Sequence, residues 1–461
     1  MLFRRCYLEP LAQASYVIGV GDEAVVVDPR RDIAEYLSIC AQHGLRIRWV
    51  LATHVHADFV AGLAELRAAT GAQIGMGAAF DGELPCTRLE DGHELRLGDA
   101  RIGVIDTPGH TPESVSFLLS APGQEAGKLL SGDCLFLGDV GRPDLVAARG
   151  LSPRDMAKML WHSLHDRLAR LPDATEVWPG HGAGSACGTA ISCDTSSTIG
   201  QQRLANWAMS VNDPEEFATQ LIRNQRPPPR YFAEAAAQNR RGPTLVSALP
   251  ALAELDAARA AKAVAAGAFV LDCRPEARHG VAHWPGALGL SLRGTFESWC
   301  GALLPPDRQL VLHAASAEAA AEARMRLLRI GNDRVAGWTQ ALPTAPASLP
   351  QLETAELFVD LESVHTWQVV DVRRPAEFTA GHVPGAVHAE LGPELGKDKA
   401  LATLDRTRPT AVICETGYRS SAASGMLRAA GFAQVANVSD GMRGWRGNCL
   451  PQERLPVSGS C

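Results

Sequence analysis

A run of potential metal ligands, THVHAD at residues 53–58, follows directly after the apolar stretch WVLA. Further candidates each follow another short apolar run: His110, Asp133 and His181. Imidazole nitrogens and carboxylate oxygens are ordinary ligands of divalent transition metals. A lone histidine in such a place is usually a surface or core residue. Several candidates that share one strand-end context instead predict a single metal site along one edge of a sheet.

A second reactive group is the cysteine of VICETGYRSS, residues 412–421. Cys414 follows an apolar strand and begins a short loop that leads into a helix. Backbone N–H groups of such a loop, together with the helix N-terminus, stabilise a thiolate. Gly417 permits a tight loop, and Arg419 is placed to hold an anionic sulfur donor. The loop residues expected to contact that donor are Glu415, Thr416, Gly417 and Tyr418.

The elements that position these groups alternate in type. Before residue 240, β-type runs such as AVVVDP, RIGVIDTPGH and KLLSGD alternate with helical runs such as ADFVAGLAELRAAT, a pattern typical of α/β layers. The segment AQNRRGPT, residues 237–244, is the expected linker after this block.

The rest of the chain contains an internal repeat. FVLDCRPEARHGVAHWPGA, starting at Phe269, matches QVVDVRRPAEFTAGHVPGA, starting at Gln368. We therefore expect three domains, at residues 1–240, 246–343 and 353–461. The segment 341–350 is the expected linker between the last two. In the middle domain His313 stands at the strand end that corresponds to Cys414 in the last domain, and Cys273 is in the wrong place to replace that thiol.

Composition narrows the function class. The net charge is −7 without a long basic block, which argues against nucleic acid as a partner. The sequence has no apolar run long enough to predict a membrane span. The first twenty residues resemble strands more than a signal peptide. Eleven scattered cysteines fit reduced thiols better than a disulfide framework, so we expect a cytoplasmic protein.

The order of the first set of motifs resembles the metallo-β-lactamase fold, whose signature H-x-H-x-D-H is followed by His, Asp and His. The resemblance covers about residues 1–240 and implies an αββα sandwich. One position departs from it: Phe59 stands where the signature has its final histidine. Phenylalanine cannot bind a metal, so a second metal would have a weak set of ligands. We therefore expect one metal ion.

The motifs HVHADFVAG, DTPGHTPES, SGDCLFLGDVGRPDL and PGHGAGSACG resemble the persulfide dioxygenase branch of that fold, particularly its rhodanese fusions. The resemblance implies one Fe(II) held by His54, His110 and Asp133. It also implies oxidation of a thiol persulfide, usually glutathione persulfide, by O₂ to sulfite. The residues expected to orient the iron ligands are His56, Asp58 and His181. Arg142 resembles a position that contacts the glutathione part of the substrate.

The loop from Cys414 to Arg419 and the upstream run DVRRPAEFTAGHVPGA resemble rhodanese domains. The resemblance implies a doubly wound α/β domain in which Cys414 carries a transferable persulfide. The expected partners are thiosulfate and sulfite. The middle domain is then a rhodanese-like copy without the catalytic cysteine. Dimers are common among such relatives, so a homodimer is one expected assembly.

Two alternatives remain open on the sequence. A thioester hydrolase of the glyoxalase II type shares the fold, but it usually needs two metals, and Phe59 counts against it. A non-catalytic sulfane-sulfur carrier or sensor would use Cys414 alone, and the intact set His54, His110 and Asp133 counts against that.

Overall fold

The computed structural model describes residues 1–123, 126–146, 150–223 and 225–455. They form two compact units, Met1–Pro250 with Leu328–Gly331, and Ala251–Leu327 with Asn332–Cys461. The division into three domains stays a prediction, and residues 456–461 of its last domain lie outside the described residues. Among the described residues, no helix is both long and apolar enough to cross a membrane.

The first unit contains two six-stranded sheets. The strands of the first sheet, in spatial order, are β1 (Leu2–Leu8), β2 (Gln13–Val20), β3 (Glu23–Val27), β4 (Arg46–Leu51), β5 (Gln73–Gly77) and β6 (Thr87–Leu89). Those of the second sheet, in chain order, are β7 (Glu94–Leu97), β8 (Ala100–Asp106), β9 (Val115–Ser120), β10 (Lys128–Gly132), β11 (Glu176–Pro179) and β12 (Ser197–Thr198).

The core of this unit lies between the two sheets. Alternating side chains of the first sheet, such as Ile18 and Val25, pack against Ile102 and Phe117 of the second. Apolar residues at every second strand position point to one face, so this packing removes one face of each sheet from water.

Helices cover the outer faces of both sheets. They are α1 (Ala34–Gln42), α2 (Leu63–Thr70), α3 (Pro153–His162), α4 (Ile199–Ala205), α5 (Trp207–Ser210), α6 (Pro214–Arg223) and α7 (Tyr231–Arg241). Short helical turns lie at Glu9–Leu11, Ser163–Arg167, Leu168–Arg170 and Val246–Ala248. The layers are those of the metallo-β-lactamase sandwich, as the sequence predicted.

Two local predictions for this unit were wrong. Residues 57–62 are not the first turn of α2, because they form the loop that carries the candidate ligands. A Cβ on Gly62 would lie 2.0 Å from the Arg30 carbonyl oxygen, so this close chain contact depends on glycine. The linker expected at 237–244 is in large part the end of α7, whose Gln238 and Asn239 are buried.

The second unit contains two parallel sheets. The four-stranded sheet has the order β14-β13-β15-β16, and the five-stranded sheet has the order β17-β21-β20-β18-β19. Their strands are β13 (Phe269–Asp272), β14 (Leu288–Gly289), β15 (Leu310–His313), β16 (Val335–Thr339), β17 (Gln351–Leu352), β18 (Gln368–Asp371), β19 (Val387–His388), β20 (Thr410–Ile413) and β21 (Val435–Val438).

Helices of this unit flank both sheets. They are α8 (Ala257–Ala265), α9 (Glu276–Val281), α10 (Phe296–Leu303), α11 (Ala317–Arg329), α12 (Thr354–Ser363), α13 (Pro375–Ala380), α14 (Tyr418–Ala429) and α15 (Gly441–Gly447). Short helical turns lie at Leu395–Lys397 and Lys399–Thr403. The second copy has the fold of a rhodanese-like domain.

The strand register confirms the internal repeat and corrects one detail of it. Asp272 pairs with His313, and Asp371 pairs with Ile413. The residue that corresponds to Cys414 is therefore Ala314, one position beyond the predicted His313. The middle segment, residues 246–343, therefore has no thiol at that point, whether His313 or Ala314 is compared with Cys414.

Candidate functional site

Three candidate ligands meet at the ends of three strands. His54 follows β4, His110 follows β8 and Asp133 follows β10. One ligand atom from each lies within 4.8 Å of the others. The Nε2 atoms of His54 and His110 are 3.8 Å and 3.6 Å from Asp133 Oδ2. All three side chains are buried.

The hydrogen bonds of the two histidines leave the nitrogens that face Asp133 free. His110 Nδ1–H donates to the Arg142 carbonyl, 2.8 Å away. His54 Nδ1–H donates to Thr53 Oγ1 at 2.9 Å, because the threonine hydroxyl itself donates to Asp28. Both Nε2 atoms are buried and have no hydrogen-bond partner. Buried lone pairs without a donor are costly, and a cation between them and Asp133 would satisfy both.

The charge states agree with a cation site. Burial lowers the pKa of His110, and it lowers the pKa of His54 well below the usual range, so both imidazoles are neutral at pH 7. Burial alone would raise the pKa of Asp133, but the neighbouring His181 and His54 outweigh it and hold this carboxyl ionised. Two neutral imidazoles and a carboxylate therefore fit a divalent metal.

Asp28 holds the loop that carries the candidate ligands, and no sequence pattern predicts this role. Its carboxylate accepts from the backbone N–H and the hydroxyl of Thr53, both at 2.8 Å, and from His56 Nε2 at 3.0 Å. His56 thus bonds to Asp28 and packs against Phe59, with ring centroids 4.3 Å apart and the rings tilted by 34°. Burial would lower the pKa of His56, but Asp28 raises it.

Two other side chains far along the chain hold the same loop. Glu113 accepts the backbone N–H of Val55 at 3.0 Å. Asn239 of α7 donates to the carbonyls of His56 and Phe59 at 2.8 Å and accepts from the N–H of Ala61. Neither could be found from local pattern, because each contact joins distant parts of the sequence.

His181 lies between two carboxylates. Its Nδ1 donates to Asp133 Oδ1 at 2.8 Å and its Nε2 donates to Asp58 Oδ2 at 2.7 Å. Burial alone would lower the pKa of His181, but Asp133 and Asp58 raise it well above the usual range. The ring is therefore an imidazolium, and it joins Asp58 to the three-residue cluster.

Asp58, His181 and Cys187 form a second group of potential ligands whose atoms lie within 4.8 Å of one another. Here both ring nitrogens of His181 already bond to carboxylates. Burial, with Asp58 and Asp133 nearby, raises the pKa of the Cys187 thiol well above its usual range. The group is thus a poorer metal site than the first.

Arg142, which is expected to contact substrate, bonds to other parts of the protein in this structure, and the substrate contact stays a prediction. Its guanidinium is buried and donates to both oxygens of Asp144, at 2.7 and 2.8 Å, and to the carbonyls of Ala186 and Arg226. Four of its five N–H groups are therefore occupied by the protein. The observed link of Arg142 to the site is its carbonyl, which orients His110.

Glycines next to the ligands are required by space. A Cβ on Gly141 would lie 2.1 Å from the Asp133 carbonyl oxygen and 2.7 Å from His110 Nδ1. A Cβ on Gly180 would lie 2.6 Å from Asp133 Oδ1. The glycines of the motifs GDVGRPDL and PGHG therefore allow neighbouring backbone to approach the ligands closely.

In the second unit, Cys414 follows β20 and lies at the start of the predicted loop. The cysteine is almost fully buried, and Ser420 Oγ donates to its Sγ at 3.3 Å. Gly417 caps α14 with φ +82°, and a Cβ there would lie 2.2 Å from the Ser439 carbonyl oxygen. The tight loop therefore needs glycine at this position, as the sequence predicted.

The other loop residues have separate contacts. Arg419 donates to both oxygens of Glu377, at 2.8 and 2.7 Å, so an anionic donor would have to share or replace that partner. Glu415 pairs with Arg446. The Tyr418 hydroxyl donates to the Ser291 carbonyl at 3.3 Å, and Thr416 is partly exposed.

The middle segment contacts the domain that carries Cys414. Trp299 and Leu303 of α10 pack on the cluster of buried residues that includes Cys414. Together with the bond from Tyr418 to Ser291, this packing fixes one side of α14. The predicted role of the middle segment in packing is consistent with these contacts.

Family models match two parts of the chain. The metallo-beta-lactamase superfamily matches residues 8–181, and the rhodanese-like domain matches residues 354–448. A solved metallo-beta-lactamase from Staphylococcus aureus subsp. aureus COL is 31% identical, with a TM-score of 0.65. That alignment covers 74% of this chain and 98% of the other.

Two curated relatives carry different activities in their names. Hydroxyacylglutathione hydrolase of Anaeromyxobacter dehalogenans is 34% identical over 41% of this chain and 70% of the relative. Human mitochondrial persulfide dioxygenase ETHE1 is 26% identical over 52% of this chain and 88% of the relative. The metallo-β-lactamase fold and these relatives imply a bound metal, and His54, His110 and Asp133 form a cluster that could hold one. The chain is therefore a member of the metallo-β-lactamase superfamily, related to persulfide dioxygenases and fused to a C-terminal rhodanese-like domain.

Proposed function

We propose that this protein is a persulfide dioxygenase that uses one iron ion and also transfers sulfane sulfur through Cys414. The observation that carries the first part is the pair of buried, unpartnered Nε2 atoms that face Asp133. Two imidazoles and one carboxylate are the ligand set of non-haem Fe(II) oxygenases. The reaction is R–S–SH + O₂ + H₂O giving R–SH and sulfite, with glutathione persulfide as the expected substrate.

Bound iron would supply open coordination positions for O₂ and a persulfide sulfur, and the redox chemistry that zinc lacks. The chain's own residues prepare that site. The Arg142 carbonyl and the Thr53 hydroxyl fix the tautomers of His110 and His54 so that each presents a bare nitrogen. His181 bonds to Asp133, and the buried ring of Phe136 lies edge-on to His181, in surroundings where Asp133 itself is buried.

Among the described residues, the second group of potential ligands, Asp58, His181 and Cys187, is the poorer set, which favours one metal ion. Phe59 packs on His56 where the family signature has a histidine. Both nitrogens of His181 are occupied by carboxylates. The protonated ring of His181 lies between Asp58 and Asp133. Its positive charge balances these two carboxylates, as a second metal ion would otherwise do.

Removal of one ligand tests this activity. His110→Ala should lose iron and at least about 100-fold of the O₂ uptake on glutathione persulfide. His43→Ala, a change of an exposed histidine, should keep both. Undiminished O₂ uptake by His110→Ala would refute the proposed site.

A thioester hydrolase is the second candidate, because a relative at 34% identity is named hydroxyacylglutathione hydrolase. That reaction needs a metal-activated hydroxide rather than O₂. Hydrolysis of S-lactoylglutathione by the metal-loaded chain, without O₂ uptake on glutathione persulfide, would favour this candidate over the dioxygenase.

The second part of the proposal is sulfur transfer. Cys414 takes a sulfane sulfur from a donor as Cys414–S–SH and gives it to a thiol or to sulfite, which becomes thiosulfate. Sulfite made in the first unit is therefore a suitable acceptor in the second. Cys414→Ser should abolish thiocyanate formation from thiosulfate and cyanide and remove the +32 Da adduct, whereas Cys193→Ser, at an exposed cysteine, should not.

A further inference from the structure

Ser420 lies against the reacting sulfur. Its hydroxyl donates to Cys414 Sγ at 3.3 Å, and its side chain is fully buried on α14. Its backbone carbonyl accepts from the Ser424 hydroxyl at 2.7 Å, which fixes this turn of the helix. The hydroxyl has one proton to donate, and it donates this proton in the hydrogen bond to the sulfur.

The burial of Cys414 increases the strength of this hydrogen bond. Cys414 is 1% exposed, so water contributes little to the solvation of a thiolate there. A hydrogen bond to a charged atom in such a place is stronger than one between neutral groups. Removal of the donor would leave a buried anionic sulfur with less compensation.

We propose that Ser420 is a catalytic residue of the sulfur-transfer site, and that it acts mainly in the step that unloads Cys414. This inference rests on the proposed sulfurtransferase function and assigns a role within it. In unloading, the acceptor sulfur uses a lone pair to form a new S–S bond to the outer sulfur of Cys414–S–SH. The bond between Sγ and that outer sulfur breaks, and its electron pair stays on Sγ as a thiolate. The proton of the outer sulfur is lost to solvent, so that sulfite leaves as thiosulfate.

The Ser420 hydroxyl stabilises the thiolate as it leaves. Thiol–disulfide exchange is faster when the leaving thiolate is more stable. In loading, Cys414 Sγ is the attacking atom, and a hydrogen bond that stabilises an anionic sulfur also makes that sulfur less nucleophilic, so the hydroxyl gives loading little net acceleration. Loss of the hydroxyl should therefore slow unloading much more than loading.

The chain provides a matched control. Ser421, the next residue of α14, is also fully buried, and its Oγ has no hydrogen-bond partner. Ser420→Ala and Ser421→Ala remove the same atoms from neighbouring buried positions. Only the first removes a contact with the sulfur.

The experiment uses the full-length protein and follows the +32 Da adduct on the Cys414 peptide by rapid quench and mass spectrometry. The chain is loaded with glutathione persulfide and then mixed with sulfite. In Ser420→Ala we expect unloading about tenfold slower than in the wild type. Loading should change less than about threefold, and the adduct should accumulate at steady state. Ser421→Ala should resemble the wild type in both steps.

Three results would overturn the inference. They are unloading of Ser420→Ala at the wild-type rate, equal slowing in both alanine variants, and slowing of loading and unloading by the same factor. Ser420→Thr keeps a hydroxyl and should restore fast unloading, which separates the chemical effect from a packing defect. If wild-type Cys414 never gains the adduct, the sulfurtransferase proposal itself fails, and this inference fails with it.

Discussion

At the scale of single residues, the proposed metal centre depends on side chains that never touch the ion. His54 and His110 present bare Nε2 atoms only because Thr53 and the Arg142 carbonyl accept their other ring protons. Thr53 in turn accepts because its own proton is directed to Asp28. A single carboxylate therefore determines the tautomer of a ligand two hydrogen bonds away.

Asp28→Asn tests that chain of bonds. An amide has one acceptor oxygen in place of two, so it cannot accept from the Thr53 hydroxyl, the Thr53 N–H and His56 together. We expect metal affinity, measured by competition with a chelator, to fall about 10- to 100-fold. Asp22→Asn, at an exposed carboxylate paired with Arg46, is the control and should change little. Wild-type metal affinity in Asp28→Asn would show that the chain of bonds is unimportant.

Residue patterns predicted that candidate ligands meet, but not which groups support them. His54, His110 and Asp133 each follow an apolar run, and the ends of these strands converge at one edge of a sheet. The choice of these three as metal ligands comes from the family resemblance and stays a prediction. Asp28, Glu113 and Asn239 reach the same loop from positions 25 to more than 180 residues away, as with Asn239 and His56. No local spacing indicates such contacts. The substrate contact expected of Arg142 comes from the resemblance of its motif and stays a prediction, and in this structure its guanidinium bonds to Asp144.

At the scale of elements, the loop between β20 and α14 requires a left-handed residue. Gly417→Ala would place a Cβ 2.2 Å from the Ser439 carbonyl oxygen at φ +82°. We expect thiocyanate formation to fall at least about tenfold, because this strain displaces the Cys414 loop. Gly392→Ala has free space and no positive φ, and it should retain activity. Equal activity in the two variants would contradict this account of the loop.

The ion pair between Arg419 and Glu377 links α14 to α13 and makes a pH-dependent contribution to stability. Burial would raise the pKa of Glu377, but the hydrogen bond from Arg419 lowers it to about 2, from an ordinary value of 4.5. The contribution is therefore complete above about pH 4.5 and is lost as the pH falls towards 2.

Glu377→Gln should thus lower the Tm of the full-length protein at pH 7 by about 2 °C. The difference from the wild type should shrink as the pH falls below 4.5. Glu362→Gln, at an exposed position of α12, should leave Tm unchanged throughout. A difference that grows at acid pH would have the wrong sign for this ion pair.

Elements were also where the sequence was least informative about boundaries. The strands that carry the site were predicted well, because buried strands form short apolar runs. The apolar spacing of residues 57–62 predicts a helix, but tertiary contacts hold them as a loop. The polar composition at the end of α7 predicts a linker, although two of its side chains, Gln238 and Asn239, are buried and hydrogen-bonded.

At the scale of the whole molecule, the two proposed chemistries belong to two sites, one in each compact unit. Each compact unit has its own core and contains all the residues of its proposed site. The internal repeat explains why the middle segment resembles the domain of Cys414 and yet has Ala314 in place of the thiol.

The two activities should therefore be separable. His110→Ala should lose O₂ uptake on glutathione persulfide but keep the wild-type rate of thiocyanate formation, and Cys414→Ser should show the reverse. The double variant should lose both. If His110→Ala also lost sulfur transfer while its Tm for the second unit stayed unchanged, the sites would not be independent.

Graded iron reconstitution tests the central claim most directly. The chain is purified without oxygen, stripped of metal and reloaded with increasing Fe(II), and O₂ uptake on glutathione persulfide is measured at each step. We predict that uptake rises linearly to one iron per chain and then stays constant, with one sulfite formed per O₂. Activity that needs two metal ions, or that zinc restores as well as iron, would contradict the account.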